Sequence, residues 1–190
     1  MTHPKYSLLA GPCSCPCHDH PGTLHFVACC SYTYQPRAQA EAIAHVHRQT
    51  EGMCCIGVVG YCPPTRFDEV EARRMIVEAF DKIKIQLHKD EPVAVVSGLT
   101  NVGVLKIAYE EAAARNWFTV GVACKRALEH PLFAVNSQLI VGEQWGEESD
   151  TFVGLLDCII RIGTGKQSIR EAGLVKGRGN PAFEYDLPVL

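Results

Sequence analysis

The sequence predicts an α/β protein with a mostly parallel sheet, helices on both faces of that sheet, and a small Cys/His-rich N-terminal segment. From residue 53 onward, short β-branched apolar runs alternate with longer amphipathic stretches. This alternation is typical of parallel sheets in which a helix follows each strand. Before it, eight Cys and His residues fall between residues 13 and 30. We therefore divide the chain into residues 1–52, a main domain at 53–174 and a tail at 175–190.

Composition excludes several classes of protein. The 190 residues suffice for one α/β domain with an appendage. A formal net charge of -3 gives no footprint for nucleic acid or an anionic membrane surface. No apolar run approaches the roughly 18–20 residues of a membrane helix, and the first residues lack a signal-peptide pattern. We expect a cytoplasmic protein with neither nucleic acid nor membrane as partner.

The ten cysteines need an explanation other than disulfides, because the cytosol keeps thiols reduced. Thiolate and imidazole are the preferred ligands of zinc. The spacing forms two knuckles, Cys15-Pro-Cys17-His18 and His25-x-x-x-Cys29-Cys30. We predict a zinc site built from Cys15, Cys17, Cys29 and Cys30, with His18 and His25 as substitutes. An oxidised framework and a loose segment with incidental thiols stay open as alternatives. No organic cofactor is predicted.

Periodicity places the elements in order. A helix is expected from Pro36 to about Arg48, since Pro suits a first helical position and Ala favours helix. Buried strands are expected at residues 54–60, 93–97, 118–122, 138–141 and 157–162. Helices are expected after the first strand to about His88, from about Asn101 to Arg115, and after Gly165. Thr65-x-x-Asp68 reads as a capping-box variant, and Asn101 is expected to cap its helix.

Gly-containing turns follow three of these strands, at Gly60, Gly98 and Gly163. In such sheets ligands bind at the carboxyl ends of the strands, near the point where strand order reverses. The turn Gly163–Gly165 opens a helix, whose free N–H groups and dipole favour an anion, usually phosphate. Thr164, Lys166 and Ser168 add two hydroxyls and a positive charge. Neither G-x-G-x-x-G nor the P-loop pattern is present at these turns.

The order of parts over about residues 54–174 resembles the SLOG superfamily of Rossmann-like nucleotide-binding proteins. Its namesakes are the LOG ("lonely guy") phosphoribohydrolases, often mislabelled lysine decarboxylases. The resemblance rests on Ser97-Gly98 with Gly103 opening a helix, and on Asp157-Cys158-Ile159-Ile160 leading into a Gly turn. LOG enzymes carry P-G-G-x-G-T-x-x-E at that turn. Aligned on Glu171, Gly165 matches the second Gly and Ser168 replaces Thr, whereas Gly163, Thr164 and Gln167 depart from the pattern.

One departure concerns catalysis. LOG enzymes have a Glu-Arg pair nine or ten residues before the Asp of this strand, and here that place holds Glu147-Glu148. In the family the Arg and the motif Glu act on an N-glycosidic bond. Without the Arg, a cation that would stabilise charge in the transition state is missing. The resemblance thus implies a retained nucleotide pocket and puts the hydrolysis in doubt. Arg126 or Arg161 could substitute, although Arg161 inside a strand favours a structural ion pair.

These features predict binding of a nucleotide-derived ligand, such as a nucleoside monophosphate or an ADP-ribose relative, to sense or sequester it. The first alternative is a LOG-like nucleoside 5′-monophosphate phosphoribohydrolase with Glu171 as the catalytic carboxylate. The second is a zinc-stabilised protein-interaction module. Trp145 either stacks a base or packs on its own domain, and the tail either folds over the pocket or trails. The resemblance also implies a homodimer. The predicted ligand contacts are Gly60, Tyr61, Ser97, Gly98, Asn101, Gly103, Trp145, Gly163, Thr164, Gly165, Lys166, Gln167, Ser168 and Glu171.

Overall fold

The computed structural model describes residues 36–88 and 91–190. The predicted zinc ligands, from Cys15 to Cys30, lie outside the described residues. By its contacts the chain divides after His45, and residues 46–190 form one unit. The site described below belongs entirely to that unit.

In the described part of the chain, the strands form one parallel sheet. They are β1 (Cys54–Gly60), β2 (Val93–Ser97), β3 (Phe118–Ala123), β4 (Ser137–Ile140), β5 (Cys158–Ile162) and β6 (Ala182–Tyr185). Their spatial order is β4-β3-β2-β1-β5-β6. The chain first builds outward from β1 to β4 and then crosses back to place β5 on the other side of β1. The order therefore reverses between β1 and β5, where Gly60 is in register with Ile162.

Helices lie before and between these strands. They are α1 (Pro36–Gln49), α2 (Glu69–Gln86), α3 (Gly103–Ala114), α4 (Ser149–Gly154) and α5 (Lys166–Gly177), and a 3₁₀ turn covers Lys125–Glu129. On one face of the sheet, Ile56 and Val58 of β1 pack with Phe80 of α2 and Ile107 of α3. On the opposite face, a Cβ added to Gly57 would collide with Leu156, which follows α4. The predicted parallel α/β architecture with helices on both faces is confirmed.

Two predicted helix caps are wrong. The N-cap of α2 is Asp68, whose carboxylate accepts hydrogen bonds from Val70 N and Glu71 N. The hydroxyl of Thr65 is therefore not the cap. The N-cap of α3 is Val102, without a side-chain hydrogen bond. Asn101 lies one residue before this cap, and its backbone N–H donates to Pro131 O at 2.8 Å.

Residues 175–190, expected to form a tail, include the sixth strand. β6 pairs with β5 from Ala182 to Tyr185 and lies at the edge of the sheet. Its residues are half-buried or exposed. A strand of this kind does not need a continuous apolar run, which is the pattern that identifies buried strands in the sequence. Within the described residues, no helix is long and apolar enough to cross a membrane.

Candidate functional site

The carboxyl ends of β1 and β5 approach each other closely at the switch point. A side chain on Gly60 would collide with Ile162 O and with Val104. The next residue, Tyr61, accepts a hydrogen bond through its carbonyl oxygen from Val104 N at 2.9 Å. Gly103 has φ +60° and a Cβ there would collide with the same carbonyl. Glycine at these positions thus lets the loop after β1 rest directly on the start of α3.

The side chain of Tyr61 joins this loop to the turn after β5. Its ring lies over Gly163, where an added Cβ would overlap the ring atoms, and Gly163 has φ +81°. Its hydroxyl is hydrogen-bonded to Thr164 Oγ1 at 2.8 Å. Tyr61 is only 7% exposed, whereas Thr164 is exposed. The turn Gly163–Gly165 therefore has a fixed inner side and an open outer side.

The start of α5 is open to an anion. Gly165 is its N-cap and supplies no side-chain hydrogen bond. Ser168 Oγ donates back to Gly165 O at 2.8 Å, which stiffens the turn and leaves the backbone donors uncovered. Lys166 and Gln167, the first helical residues, are exposed. Uncovered N–H groups, the helix dipole and a lysine together favour a phosphate or carboxylate here.

A buried acidic pair lies beside this turn. Glu148 precedes α4 and is 5% exposed, and Glu171 of α5 is 4% exposed. Gln167 Nε2 donates to Glu148 Oε1 at 3.0 Å and to Glu171 Oε1 at 2.9 Å. Ser149 Oγ donates to Glu171 Oε1 at 2.7 Å, and Gly146 N donates to Glu148 Oε2 at 2.9 Å. One amide thus bridges two carboxylates that come from different elements.

Burial raises the pKa of Glu171, and the neighbouring charge of Glu148 raises it further. Hydrogen bonds from Gln167 and Ser149 and the positive charge of Arg170, which makes no hydrogen bond to Glu171, oppose the shift. Desolvation disfavours the charged carboxylate because little water reaches it. Glu171 therefore keeps its proton to a higher pH than an ordinary glutamate does.

Neither arginine considered as a substitute joins this pair. Arg161 is a structural ion-pair residue, with Nε 3.0 Å from Glu184 Oε1 and Nη2 3.2 Å from Asp186 Oδ1. Arg126 lies 3.7 Å from Glu129. In the described part of the chain, no arginine or lysine donates a hydrogen bond to Glu148 or Glu171.

The other predicted contacts separate into structural and exposed residues. Ser97 is fully buried and its hydroxyl donates to Val58 O at 2.6 Å, so it holds β2 against β1. Gly98 makes room for Leu105. Asn101 is exposed. Trp145 is 49% exposed, and its ring lies 6.0 Å from that of His130, in the loop that leads to Glu148.

The structure therefore brings together Gly60, Tyr61, Gly103 and the turn Gly163–Gly165, with Gln167 and Glu171 nearby. Sequence reasoning did not include Glu148 and Ser149 among the site residues. Glu148 was visible only as one carboxylate of the acidic loop at residues 145–150 and as the residue that stands where the LOG enzymes have an arginine. Ser149 carried no signal, since a serine in an acidic loop is ordinary.

Two open cavities lie at the other edge of the sheet. One, of about 440 Å³, is lined by residues at the amino ends of β1, β2 and β3, including Met53, Val93 and Phe118. The other, of about 470 Å³, includes Cys55 and Asp157. Ligands of parallel α/β sheets bind at the carboxyl ends of the strands. The hydrogen-bonded pair Glu148 and Glu171 also lies at the carboxyl ends. We therefore place the candidate site at the carboxyl edge.

Across residues 36–88 and 91–190, no group of three or more His, Cys, Asp or Glu side chains could hold a metal ion. The described cysteines, Cys54, Cys55, Cys62, Cys124 and Cys158, are free thiols. The zinc prediction therefore depends on the N-terminal segment alone.

None of the protein-family models matches the chain, and the search of curated proteins finds no match. Solved structures do match. A molybdenum cofactor carrier protein from Chlamydomonas reinhardtii superposes with a TM-score of 0.55 at 17% identity, covering 70% of this chain and 76% of that one. The molybdenum cofactor binding protein from the phototrophic bacterium Rippkaea orientalis gives 0.55 at 18% identity, with the same coverage. At such identities the likeness concerns the fold alone, and it supports a Rossmann-like α/β fold for this chain.

Proposed function

We propose that this protein binds a small phosphorylated ligand of the nucleotide class and holds it without chemical change. The ligand would be a nucleoside monophosphate or an ADP-ribose relative, bound at the carboxyl edge between β1 and β5. The observation that carries this proposal is the α5 N-terminus at the switch point, which has no side-chain cap. Parallel α/β sheets bind nucleotides at this place.

Different residues would bind the phosphate and the nucleoside of the ligand. The phosphate would accept hydrogen bonds from the backbone donors at Lys166 and Gln167 and from Thr164, with Lys166 adding charge. Farther along, Glu148 and Glu171 offer acceptors that suit ribose hydroxyls, because a carboxylate oxygen accepts more than one hydrogen bond. Trp145 beside His130 offers an aromatic surface for a base.

Binding rather than hydrolysis is favoured by the charges around the acidic pair. Cleavage of an N-glycosidic bond develops charge that a fixed cation would stabilise. Glu148 occupies the place where LOG enzymes have arginine, and no described arginine or lysine is hydrogen-bonded to Glu148 or Glu171. A bound nucleotide would therefore stay bound without being hydrolysed.

The first experiment is titration calorimetry with AMP, ADP-ribose and adenosine. We expect AMP to bind and adenosine to bind much more weakly. Lys166→Met should weaken AMP binding about five- to tenfold, as for one charge-assisted hydrogen bond near the surface, and should leave adenosine unchanged. Lys176→Met is the matched control, because Lys176 is an exposed lysine at the other end of the same helix.

Two results would contradict the proposal. One is that no nucleotide binds at millimolar concentration. The other is that the Lys166 and Lys176 variants bind AMP equally well, since the phosphate would then lie elsewhere. Native mass spectrometry of freshly purified protein adds an independent measurement, because a retained whole nucleotide would be seen as an added mass that denaturation removes.

A second candidate function is a LOG-like phosphoribohydrolase. It is favoured by the burial of Glu171, which raises the pKa of that carboxyl and so suits it to donate a proton to a departing base. Chromatography of free base released from AMP-type substrates tests this reading. Loss of release in Glu171→Gln supports hydrolysis, and equal background in wild type and variant contradicts it.

The similar solved structures suggest one more ligand for the titration. Because they are described as carrying or binding molybdenum cofactor, we include that cofactor among the ligands to titrate. We further propose a homodimer, which light scattering coupled to gel filtration would test. Zinc binding by Cys15, Cys17, Cys29 and Cys30 is likewise proposed.

A further inference from the structure

A short segment at residues 186–190 connects the two sides of the switch point. We refer to it as the latch segment. Its first residue, Asp186, lies with Oδ1 3.2 Å from Arg161 Nη2. The same guanidinium donates to Glu184 and to the carbonyl oxygen of Gly163. The start of the latch segment is therefore tied through one buried arginine to the turn after β5.

The other end of the latch segment is bound to the loop between β1 and α2, residues 61–67. Val189 forms an antiparallel bridge with Phe67, and Leu190 N donates to Arg66 O at 2.9 Å. Between these ends, Leu187 is 3% exposed and belongs to the same apolar cluster as Tyr61 and Phe67. The rings of Tyr61 and Phe67 are 5.9 Å apart.

The loop that is held in this way carries the residue that covers the turn. Tyr61 lies over Gly163 and is hydrogen-bonded to Thr164. Elsewhere the two segments have little buried surface, since Arg66, Pro188 and Val189 are exposed. Segments with few buried contacts and exposed backbone hydrogen bonds open locally at small cost in free energy.

We propose that residues 186–190 form a latch that holds loop 61–67 closed, with Tyr61 over the turn after β5. Release of the latch lets Tyr61 move away and frees the hydroxyl of Thr164, which is hydrogen-bonded to Tyr61 and is one of the groups proposed to bind the phosphate. The closing of the loop is a property of the fold, whereas the admission of a ligand rests on the proposed function. The two parts are therefore tested separately.

Limited trypsin digestion tests the latch without any ligand. Arg66 is exposed, and cleavage of the Arg66–Phe67 bond, followed by mass spectrometry, reports opening of the loop. Leu190→Pro removes the N–H that donates to Arg66. Loss of one such bond should raise the open population, and with it the cleavage rate, about fivefold. Leu190→Ala is the matched control, since the side chain is 79% exposed and the N–H remains.

Equal cleavage at Arg66 in Leu190→Pro, Leu190→Ala and wild type would overturn the latch. Asp186→Asn provides a second variant that leaves folding undisturbed, because Asp186 is 83% exposed as a side chain. It weakens the anchor on Arg161 and should also speed cleavage at Arg66. An unchanged rate in this variant as well would confirm that the segment does not restrain the loop.

Stopped-flow association of AMP tests the second part. We expect the association rate to rise in Leu190→Pro by about the same factor as cleavage at Arg66. Faster cleavage with unchanged AMP association would refute control of access by the latch. Faster cleavage in a protein that binds neither AMP nor ADP-ribose at millimolar concentration would refute the proposed function and leave the latch established.

Discussion

Gly163→Ala tests the contact on which the candidate site is built, because two separate effects oppose a side chain there. Gly163 has φ +81°, and an L-residue in the left-handed region costs about 1–2 kcal/mol. The new Cβ would also overlap the ring of Tyr61, and overpacking of this kind costs about 1–3 kcal/mol. Together they should lower the free energy of unfolding by about 2–5 kcal/mol.

Gly179→Ala separates the two effects. Gly179 has φ +83° and nothing within 4 Å of an added Cβ, so only the backbone effect and the entropy of the unfolded chain remain, and both are shared with Gly163→Ala. Urea unfolding followed by circular dichroism measures both variants, and a constant m-value shows that stability alone has changed. We expect Gly163→Ala to cost about 1–3 kcal/mol more than Gly179→Ala.

A double variant identifies the ring as the cause. Tyr61→Leu keeps an apolar side chain but lacks the ring atoms that lie nearest Gly163. In that background, the cost of Gly163→Ala should fall to the cost of Gly179→Ala, which is a coupling between neighbours. Equal costs for the two glycine variants in wild type would refute the placement of Tyr61 over the turn. An undiminished cost of Gly163→Ala in Tyr61→Leu would do the same.

Three further predictions concern caps, protonation and metal. Asp68→Ala should lower the free energy of unfolding by about 1 kcal/mol because it removes the cap of α2, whereas Asn101→Ala should change it by less than about 0.5 kcal/mol; equal effects in urea unfolding would contradict this. Because burial raises the pKa of Glu171, its contribution to stability is complete at low pH and is lost as the pH rises through the folded pKa. The stability of Glu171→Gln relative to wild type should therefore increase with pH from about 4.3 upward, and a flat difference in pH-dependent unfolding would be inconsistent with burial of that carboxyl. Elemental analysis should find one zinc per chain, lost in Cys15→Ser; less than about half an equivalent, with the thiols free, would count against the zinc site.

The sequence was most informative about buried strands and helix faces. Cys54–Gly60 and Val93–Ser97 were predicted with the bounds that the structure gives, because strands covered on both faces are continuous apolar runs ended by Gly, Pro or polar residues. The apolar face of α2 can also be read from the sequence, since Ile76, Phe80 and Ile83 recur at helical spacing, and all three are buried. Local pattern sufficed here because each element buries residues that are close together in the sequence.

The sequence was less informative where an element is half-exposed or a cap depends on one residue. β6 has no continuous apolar run, so its strand character comes from pairing with β5. Asn101 has the chemistry of a cap, but the loop places Val102 at that position. In both cases the decisive partner lies far away along the chain, and short-range propensity does not report it.

The sequence by itself determined the fold class, most element bounds and the Gly turn that opens α5. Only the tertiary structure decided that β5 lies beside β1, since strand order follows from how the connections pack and not from the content of any strand. That placement brings Tyr61 over Gly163 and brings Glu148 and Glu171 to one amide of Gln167. The turn was therefore visible in the sequence, but the residues that cover and line it were not, because contacts between distant segments arise only when the sheet is assembled.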